Sequence, residues 1–175
     1  MIAESIERLT VLEPPSNPFP GLRPFEFHES LLYFGRDGQS EQLLRKLSSK
    51  RFMAVVGTSG SGKSSLVRAG LLPALFGGFL PSAGSDWRIA IMRPSNDPIG
   101  NLAHALNSPD AFGPTDEEEA KLQTAFTEAT LRRGSLGLVN AVQQARMPPH
   151  ESLLIVADQF EELFRFAQVG HKSPA

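Results

Sequence analysis

The chain has 175 residues, of which 41% are hydrophobic and 21% are charged, so it has the size and composition of one globular domain. Its 17 Lys and Arg residues against 19 Asp and Glu residues give a net charge of −2, which provides no general attraction to nucleic acid or to an anionic membrane. The lack of cysteine excludes a disulfide scaffold, a thiolate nucleophile and a Cys-based metal site. Because no secretory signal and no unbroken apolar run of membrane-spanning length is found, a cytoplasmic location is expected.

The first predicted elements lie before a glycine-rich loop. Residues 1–16 are expected to form a flexible lead-in, because prolines crowd the end of this region and fix an extended, irregular backbone. Asp37 is predicted to cap a helix whose leucines recur at helical spacing: Leu43, Leu44 and Leu47. The run RFMAVVG that follows predicts a buried strand over Phe52–Val56.

After the loop, helices alternate with short strands that are almost wholly apolar. In chain order these are a helix from near Lys63 that ends before Pro73, a strand over Trp87–Met92, a helix opening at Asp97-Pro98, a helix opening at Thr115-Asp-Glu-Glu118, a helix over Leu136–Ala145 and a strand over Leu153–Ala157. Uniformly apolar strands are typical of sheets that are buried on both faces. The pattern therefore predicts an α/β protein with a mainly parallel sheet.

The strongest chemical signal is GTSGSGKS, which matches the phosphate-binding pattern GxxxxGK[ST]. Glycines let backbone N–H groups converge on phosphate oxygens, and the following helix presents its N-terminus to the same anion. The predicted nucleotide ligands are the loop and the serine after it: Gly57, Thr58, Ser59, Gly60, Ser61, Gly62, Lys63, Ser64 and Ser65. The Lys63 ammonium is assigned to the β- and γ-phosphates, which makes it a candidate catalytic residue, and the Ser64 hydroxyl is assigned to Mg²⁺.

A P-loop ATPase also needs a carboxylate at the end of a neighbouring strand to hold magnesium, and a group that orients water. Asp158 directly follows the last apolar strand and is the predicted second metal ligand. Glu161 and Glu162 are the candidate catalytic acids, and Glu162 is favoured because Glu161 can instead pair with Arg165 one helical turn later. A helix starting near Phe160 would bury an apolar stripe: Phe160, Leu163, Phe164 and Ala167.

Several stretches of the sequence together resemble a known family. They are NPFPGLRPFEFHESLLYFGRD, FMAVVGTSGSGKSSLVRAGLLPAL, RRGSLGLVNAV and LLIVADQFEELF. They look like the novel STAND NTPase type 1 domain, which belongs to the signal-transduction ATPases with numerous domains. The resemblance predicts one domain over residues 17–168, followed by a tail at 169–175.

The resemblance implies a three-layer P-loop sandwich that works as an ATP-dependent switch within a longer bacterial protein. Its implied partners are effector and sensor domains of the same chain and a nucleotide-dependent homo-oligomer, and its implied cofactors are ATP and Mg²⁺. The family wording D-x-x-[DE]-E matches Asp158, Glu161 and Glu162. In such folds a strand that comes later in the sequence lies between the loop strand and the Asp-bearing strand, so the sheet is expected to be truncated here.

The resemblance also concerns the residues before the first helix. Phe34-Gly35-Arg36-Asp37 matches a step that usually lies near the adenine, so Gly35 and Arg36 are predicted cofactor-binding residues. From composition alone, Arg36 would be a solvated loop residue.

Two other functions stay open at this point: a small phosphotransferase such as a metabolite kinase, and a nucleotide-binding scaffold without hydrolysis. Kinases of that kind usually carry the loop near the start of the chain, whereas here it begins at Gly57. No LSGGQ-like signature of a transporter ATPase occurs, and the motifs alone do not separate ATP from GTP.

The other polar residues show weaker patterns. The histidines (His28, His104, His150 and His171) are scattered without ligand spacing, and the loop serines lack a His–Asp partner. Arg132 and Arg133 are expected to be a solvated helix end, with an arginine finger toward a neighbouring subunit as the alternative.

Overall fold

The computed structural model describes residues 18–79, 86–114 and 116–164, and the chain divides into two units at the bond between Trp87 and Arg88. Among the described helices, none combines the length and the apolar character needed to cross a bilayer.

The first unit places the glycine-rich loop between two helices. A 3₁₀ turn spans Phe27–Leu32, helix α1 spans Asp37–Ser49, and helix α2 begins at Lys63, directly after the loop. The 3₁₀ turn and α1 both pack on α2. The described apolar interior of this unit consists of one phenylalanine, one alanine and leucines of the two helices: Phe27, Leu44, Leu66, Ala69, Leu71, Leu72 and Leu75.

Helix α2 has three consecutive parts, which are α-helical, π-helical and α-helical in turn: Lys63–Ser65, Leu66–Leu71 and Leu72–Phe76. The expectation that this helix ends before Pro73 is therefore wrong. The N–H of Leu72 donates to the carbonyl of Val67, five residues back. Pro73 then lies in the first turn of the last α-helical part, where a missing N–H is tolerated, so the wider turn lets the helix continue through the proline.

The apolar run before the loop does not form a strand. Phe52 is 85% exposed and Val56 is 90% exposed, so the prediction of a buried strand over Phe52–Val56 is wrong. A strand is stabilised by ladder hydrogen bonds and by side-chain contacts with a neighbouring strand. The described part of the first unit supplies no such neighbour.

The second unit contains two adjacent parallel strands, β1 (Trp87–Met92) and β2 (Ser152–Ala157). Three helices connect them: α3 (Pro98–Leu106), α4 (Glu117–Leu131) and α5 (Gly137–Gln144). A parallel pair requires a long crossover of this kind, and the prediction of an α/β protein is confirmed at this level.

Mostly small apolar side chains from β1, the three helices and the turn that follows α3 form the core of the second unit: Ala90, Met92, Ala103, Ala105, Leu106, Ala111, Leu131 and Ala141. Leu153 and Ile155 of β2 pack against this cluster. The many alanines allow close approach of the elements, so α3 packs closely against α4, and α4 against α5.

The helix starts in the second unit follow capping chemistry. The Asp97 carboxylate accepts a backbone N–H from the first turn of α3, and Pro98 is the first helical residue, as predicted. The Asp116 carboxylate does the same for α4. Thr115, the predicted start of that cap, lies outside the described residues.

The element boundaries agree with the predictions to within one residue for β1, β2 and α5. The predicted capping role of Asp37 is wrong. Asp37 is itself the first residue of α1, and Arg36 occupies the capping position without a side-chain cap.

Candidate functional site

The loop at Gly57–Ser64 is wound tightly at the start of α2. Gly60 and Gly62 have φ angles of 74° and 81°, which side chains with a Cβ rarely adopt. At Gly57 a Cβ would lie 2.9 Å from the Ser61 hydroxyl oxygen, so a side chain there would force the Ser61 hydroxyl to move. The first half of the loop is exposed, whereas Ser61 to Ser64 are half-buried.

The Lys63 side chain folds back over the loop. Its Nζ donates to the carbonyl oxygens of Gly57 and Thr58, each at 3.0 Å. Within the described part of the chain no carboxylate forms an ion pair with it. The ammonium group is therefore held by weak neutral acceptors that an anionic oxygen can replace.

Arg36 lies against the second half of the loop. Its Nη1 donates to the Ser61 carbonyl at 2.9 Å, and its guanidinium lies 3.6–3.7 Å from the place a Gly62 Cβ would occupy. Gly35 before it has a φ of 83°, which turns the chain toward α1. The structure thus brings two cations, Arg36 and Lys63, to one loop.

A cavity of about 400 Å³ opens beside the loop. The first turns of α1, the end of the apolar run and the loop line it: Arg36, Gln39, Gln42, Leu43, Lys46, Val55, Val56, Gly57, Thr58, Ser61, Lys63 and Leu66. Three cationic side chains and no carboxylate line this space. Its lining therefore suits an anion.

Ser65 has a different environment from the other serines of the motif. It is buried, and its Oγ accepts the backbone N–H of Phe25 at 3.1 Å. Its hydroxyl thus has a protein partner on the side of α2 that faces the 3₁₀ turn.

In the second unit, Asp158 directly follows β2. Its N–H donates to the carbonyl of Met92 at the end of β1, at 2.9 Å. Its side chain is only 11% exposed, and Arg93 Nε lies 3.9 Å from its Oδ2. Arg93 directly follows β1, and an arginine in that position is able to face an acid that ends the neighbouring strand.

Glu161 and Glu162 differ in their surroundings. Glu162 Oε2 accepts the N–H of Ser95 at 3.2 Å, and the N–H of Glu162 donates to the carbonyl of Gln159 at 2.9 Å. Ser95 and Gln159 have left-handed φ angles of 47° and 58°. Glu161 is exposed. The turn after β1 therefore contacts two predicted acids, through Arg93 to Asp158 and through Ser95 to Glu162.

The predicted buried stripe after Asp158 is wrong for its two phenylalanines, whereas Leu163 is half-buried. Phe160 is 52% exposed and Phe164 is 65% exposed, and their rings contact each other edge to face at 6.3 Å. One helical turn is formed at 162–164. Arg165 and Ala167, which the predicted pairing and stripe also involve, lie outside the described residues.

The remaining candidates have structural partners or no site around them. Arg132 forms ion pairs with Glu128 and Asp97, as a helix-end residue does. Among the described residues, no three His, Asp or Glu side chains form a group able to hold a metal ion by themselves.

The loop fits a polyphosphate. A tightly wound loop with glycine at positions 57, 60 and 62, two cations and the first N–H groups of a helix longer than ten residues are groups that bind phosphate oxygens. The hydroxyl of Ser64 and the carboxylate of Asp158 are oxygen donors of the kind that Mg²⁺ prefers.

A family model described as Novel STAND NTPase 1 matches residues 18–173 of the chain. No curated protein and no solved structure gives a significant match.

Proposed function

Because this chain belongs to the Novel STAND NTPase 1 family, we propose that it binds ATP with Mg²⁺ and acts as the nucleotide-dependent switch of a larger bacterial signalling protein. Membership in an NTPase family itself indicates a nucleotide-binding, regulatory domain. The switch, its ATP preference and its effector, sensor and oligomeric partners are the finer parts of the proposal.

The observation that carries the proposal is the hydrogen bonding of the Lys63 side chain. Its ammonium lies on two carbonyl oxygens of a tight glycine loop, where a helix begins. A polyphosphate would replace these neutral acceptors with charged ones, and charge-assisted hydrogen bonds are about twice as strong. Arg36, already bound to the loop at Ser61, adds a second positive charge at the same place.

We assign the residues of the loop to the phosphates and two oxygen donors to the metal. The amides from Gly57 to Ser64 would receive the β-phosphate, and Lys63 would bridge the β- and γ-oxygens. Ser64 and Asp158 would hold Mg²⁺, which when bound neutralises charge that develops on the phosphate oxygens. Gly35 and Arg36 are assigned to the nucleoside end, next to the cavity beside α1.

Glu162 is the better candidate for orienting the attacking water. Its half-buried carboxylate is fixed by the Ser95 amide, whereas Glu161 is exposed. A base must be held in one geometry to act on a water. We therefore assign proton transfer to Glu162 and a solvated role to Glu161.

The fold that we propose for residues 17–168 is a three-layer P-loop sandwich. The run 52–56 before the loop leaves the large apolar side chains of Phe52 and Val56 exposed. Contiguous exposed apolar surface commonly marks a site that binds a partner.

The same exposed run favours one alternative, a nucleotide-binding scaffold that does not hydrolyse ATP. The loop can bind phosphate through its own backbone and Lys63, whereas turnover also needs Asp158 and Glu162 to be held in fixed positions. Binding with no measurable hydrolysis would select this alternative.

A calorimetric titration of the chain with ATP, ADP and AMP in the presence of Mg²⁺ tests the proposal. Because the loop is assigned to the β- and γ-phosphates, ATP and ADP should bind and AMP should bind at least about tenfold more weakly. Equal affinity for AMP would contradict the assignment, and no binding of any nucleotide would contradict the function.

A further inference from the structure

The segment 23–33, which we call the strap, packs on α2 through side chains and backbone. The backbone N–H of Phe25 donates to Ser65 Oγ, and Arg68 Nη1 binds Glu26 Oε1 at 2.7 Å. Ser65 and Arg68 are three residues apart and so share one face of the helix. The strap thus contacts α2 within its first two turns.

The far end of α2 is contacted by the same strap. The ring of Phe27, which is only 6% exposed, meets the ring of Phe76 edge to face at 5.4 Å. An aromatic pair of this geometry adds to the burial of apolar area. The strap therefore spans α2 from its N-terminal turn to its last residue.

The strap is stiffened by its own ion pair. Glu29, which is 4% exposed, accepts Nη1 of Arg23 at 2.6 Å and the N–H of Glu26 at 2.9 Å. The hydrogen bonds from Arg23 are the main cause that lowers the pKa of Glu29 to about 2. A side chain this firmly bound keeps the strap in one conformation.

We infer that the strap positions the phosphate-binding turn of α2, so that docking of the strap and binding of the nucleotide are linked. The inference rests on the proposed function. Lys63 and Ser64 occupy the first turn of α2, directly before the Ser65 hydroxyl that binds Phe25. A shift of that turn would move the donors away from the phosphate, and small misplacements are costly at such sites.

The inference gives Ser65 a positioning role and removes it from the phosphate ligands. It also gives a role to the stretch GLRPFEFHES, which contributes to the family resemblance but contains none of the residues assigned to the nucleotide or the metal above. Linkage requires reciprocity: whatever the docked strap adds to nucleotide affinity, the nucleotide adds to strap docking.

The test uses Ser65→Ala and Glu26→Gln, with Glu41→Gln as the matched control. Glu41 forms an exposed ion pair with Arg45 on α1 and contacts no strap residue through that pair. Glu26 is not among the residues that line the cavity beside the loop. Loss of MgATP affinity in Glu26→Gln would therefore report the strap rather than a lost ligand.

We expect Ser65→Ala and Glu26→Gln each to lower MgATP affinity about fivefold, which corresponds to ~1 kcal/mol, and Glu41→Gln to leave it unchanged. In the wild-type chain, hydrogen exchange of the amides at 25–29 should become slower when MgATP is added. In both variants this slowing should be smaller.

Three outcomes would overturn the inference. Weaker binding in Ser65→Ala alone would make Ser65 a ligand. Unchanged affinity in both variants, with a lower melting temperature, would make the strap purely structural. Absence of MgATP binding by the wild-type chain would end the proposed function, and this inference with it.

Discussion

The two units of the chain differ in how far their apolar segments are paired and buried. In the second unit, β1 and β2 pair, and Ile89 and Ala90 of β1 are at most 1% exposed. Among the described residues of the first unit, the apolar run Phe52–Val56 has no strand partner, and the Lys63 ammonium donates to carbonyl oxygens. Departures from local rules are concentrated where proteins bind ligands and partners. The comparison indicates that the first unit presents groups that a ligand or partner can bind, whereas the strands of the second unit are already paired and hold Asp158 and Glu162 in place.

The largest effect that tests this comparison is expected for Ile89→Ala. Ile89 is 1% exposed, so its truncation should lower the free energy of unfolding by about 3 kcal/mol, measured by urea denaturation followed by circular dichroism. Phe52→Ala is the matched control in the first unit, and it should cost less than about 1 kcal/mol because Phe52 is 85% exposed. Equal losses would show that Ile89 and Phe52 are buried to the same extent in solution, and the difference between the two units would not hold.

The next effect is the pH dependence of the first unit. The Arg23 guanidinium lowers the pKa of Glu29 to about 2, below its ordinary 4.5. A lowered pKa stabilises the folded state above pH 4.5, and that contribution is lost as the pH falls toward about 2. Glu29→Gln should therefore cost about 2 kcal/mol at neutral pH, and the difference from wild type should shrink over this acid range.

Urea denaturation at several pH values checks this prediction. Glu41→Gln, which removes an exposed ion pair on α1, should change the free energy of unfolding by less than about 0.5 kcal/mol at every pH. A difference for Glu29→Gln that stays constant down to pH of about 2 would contradict the assigned pair.

A smaller effect is expected on turnover in the second unit. Glu162→Gln keeps the size of the side chain but removes its basicity, so the proposed ATP hydrolysis should slow at least about tenfold, or ~1.4 kcal/mol, with binding retained. Steady-state phosphate release measures it. Glu161→Gln is the matched variant, and the opposite result, with Glu161 as the sensitive position, would reverse the assignment.

The smallest effect concerns Tyr33, whose hydroxyl is buried without a hydrogen-bond partner among the described residues. Burial raises the pKa of this phenol. Tyr33→Phe removes the unsatisfied group and keeps the ring that packs on Phe25, so stability should rise by about 0.5 kcal/mol. Thermal denaturation checks this, and a clear loss would indicate a bound water or partner for the hydroxyl.

Local rules predict the second unit well. The strands β1 and β2 and the cap at Asp97 follow from apolar runs and from the hydrogen-bonding capacity of one carboxylate. The same rules predict a strand at Phe52–Val56 and are wrong there, because pairing depends on a neighbour that a local pattern does not contain. The same rules predict that α2 ends before Pro73, which is wrong, because they do not predict the π-helical turn.

The candidate site was predictable in its motif and less so in its surroundings. The spacing of glycines, Lys63 and Ser64 defines the loop, and Asp158 follows from its place after a strand. The contact of Arg93 with Asp158, and the burial of Ser65 under the strap, depend on distant segments of the sequence. Such contacts have no local periodicity from which they could be predicted.

The central proposal is that the loop at Gly57–Ser64 binds a polyphosphate through Lys63. Calorimetric titration of MgATP into Lys63→Ala tests it most directly, with Lys50→Ala, an exposed lysine at the end of α1, as the control. Lys63→Ala should lower the affinity at least about tenfold with an unchanged circular dichroism spectrum, and Lys50→Ala should bind as the wild type does. Undiminished binding by Lys63→Ala would contradict the claim.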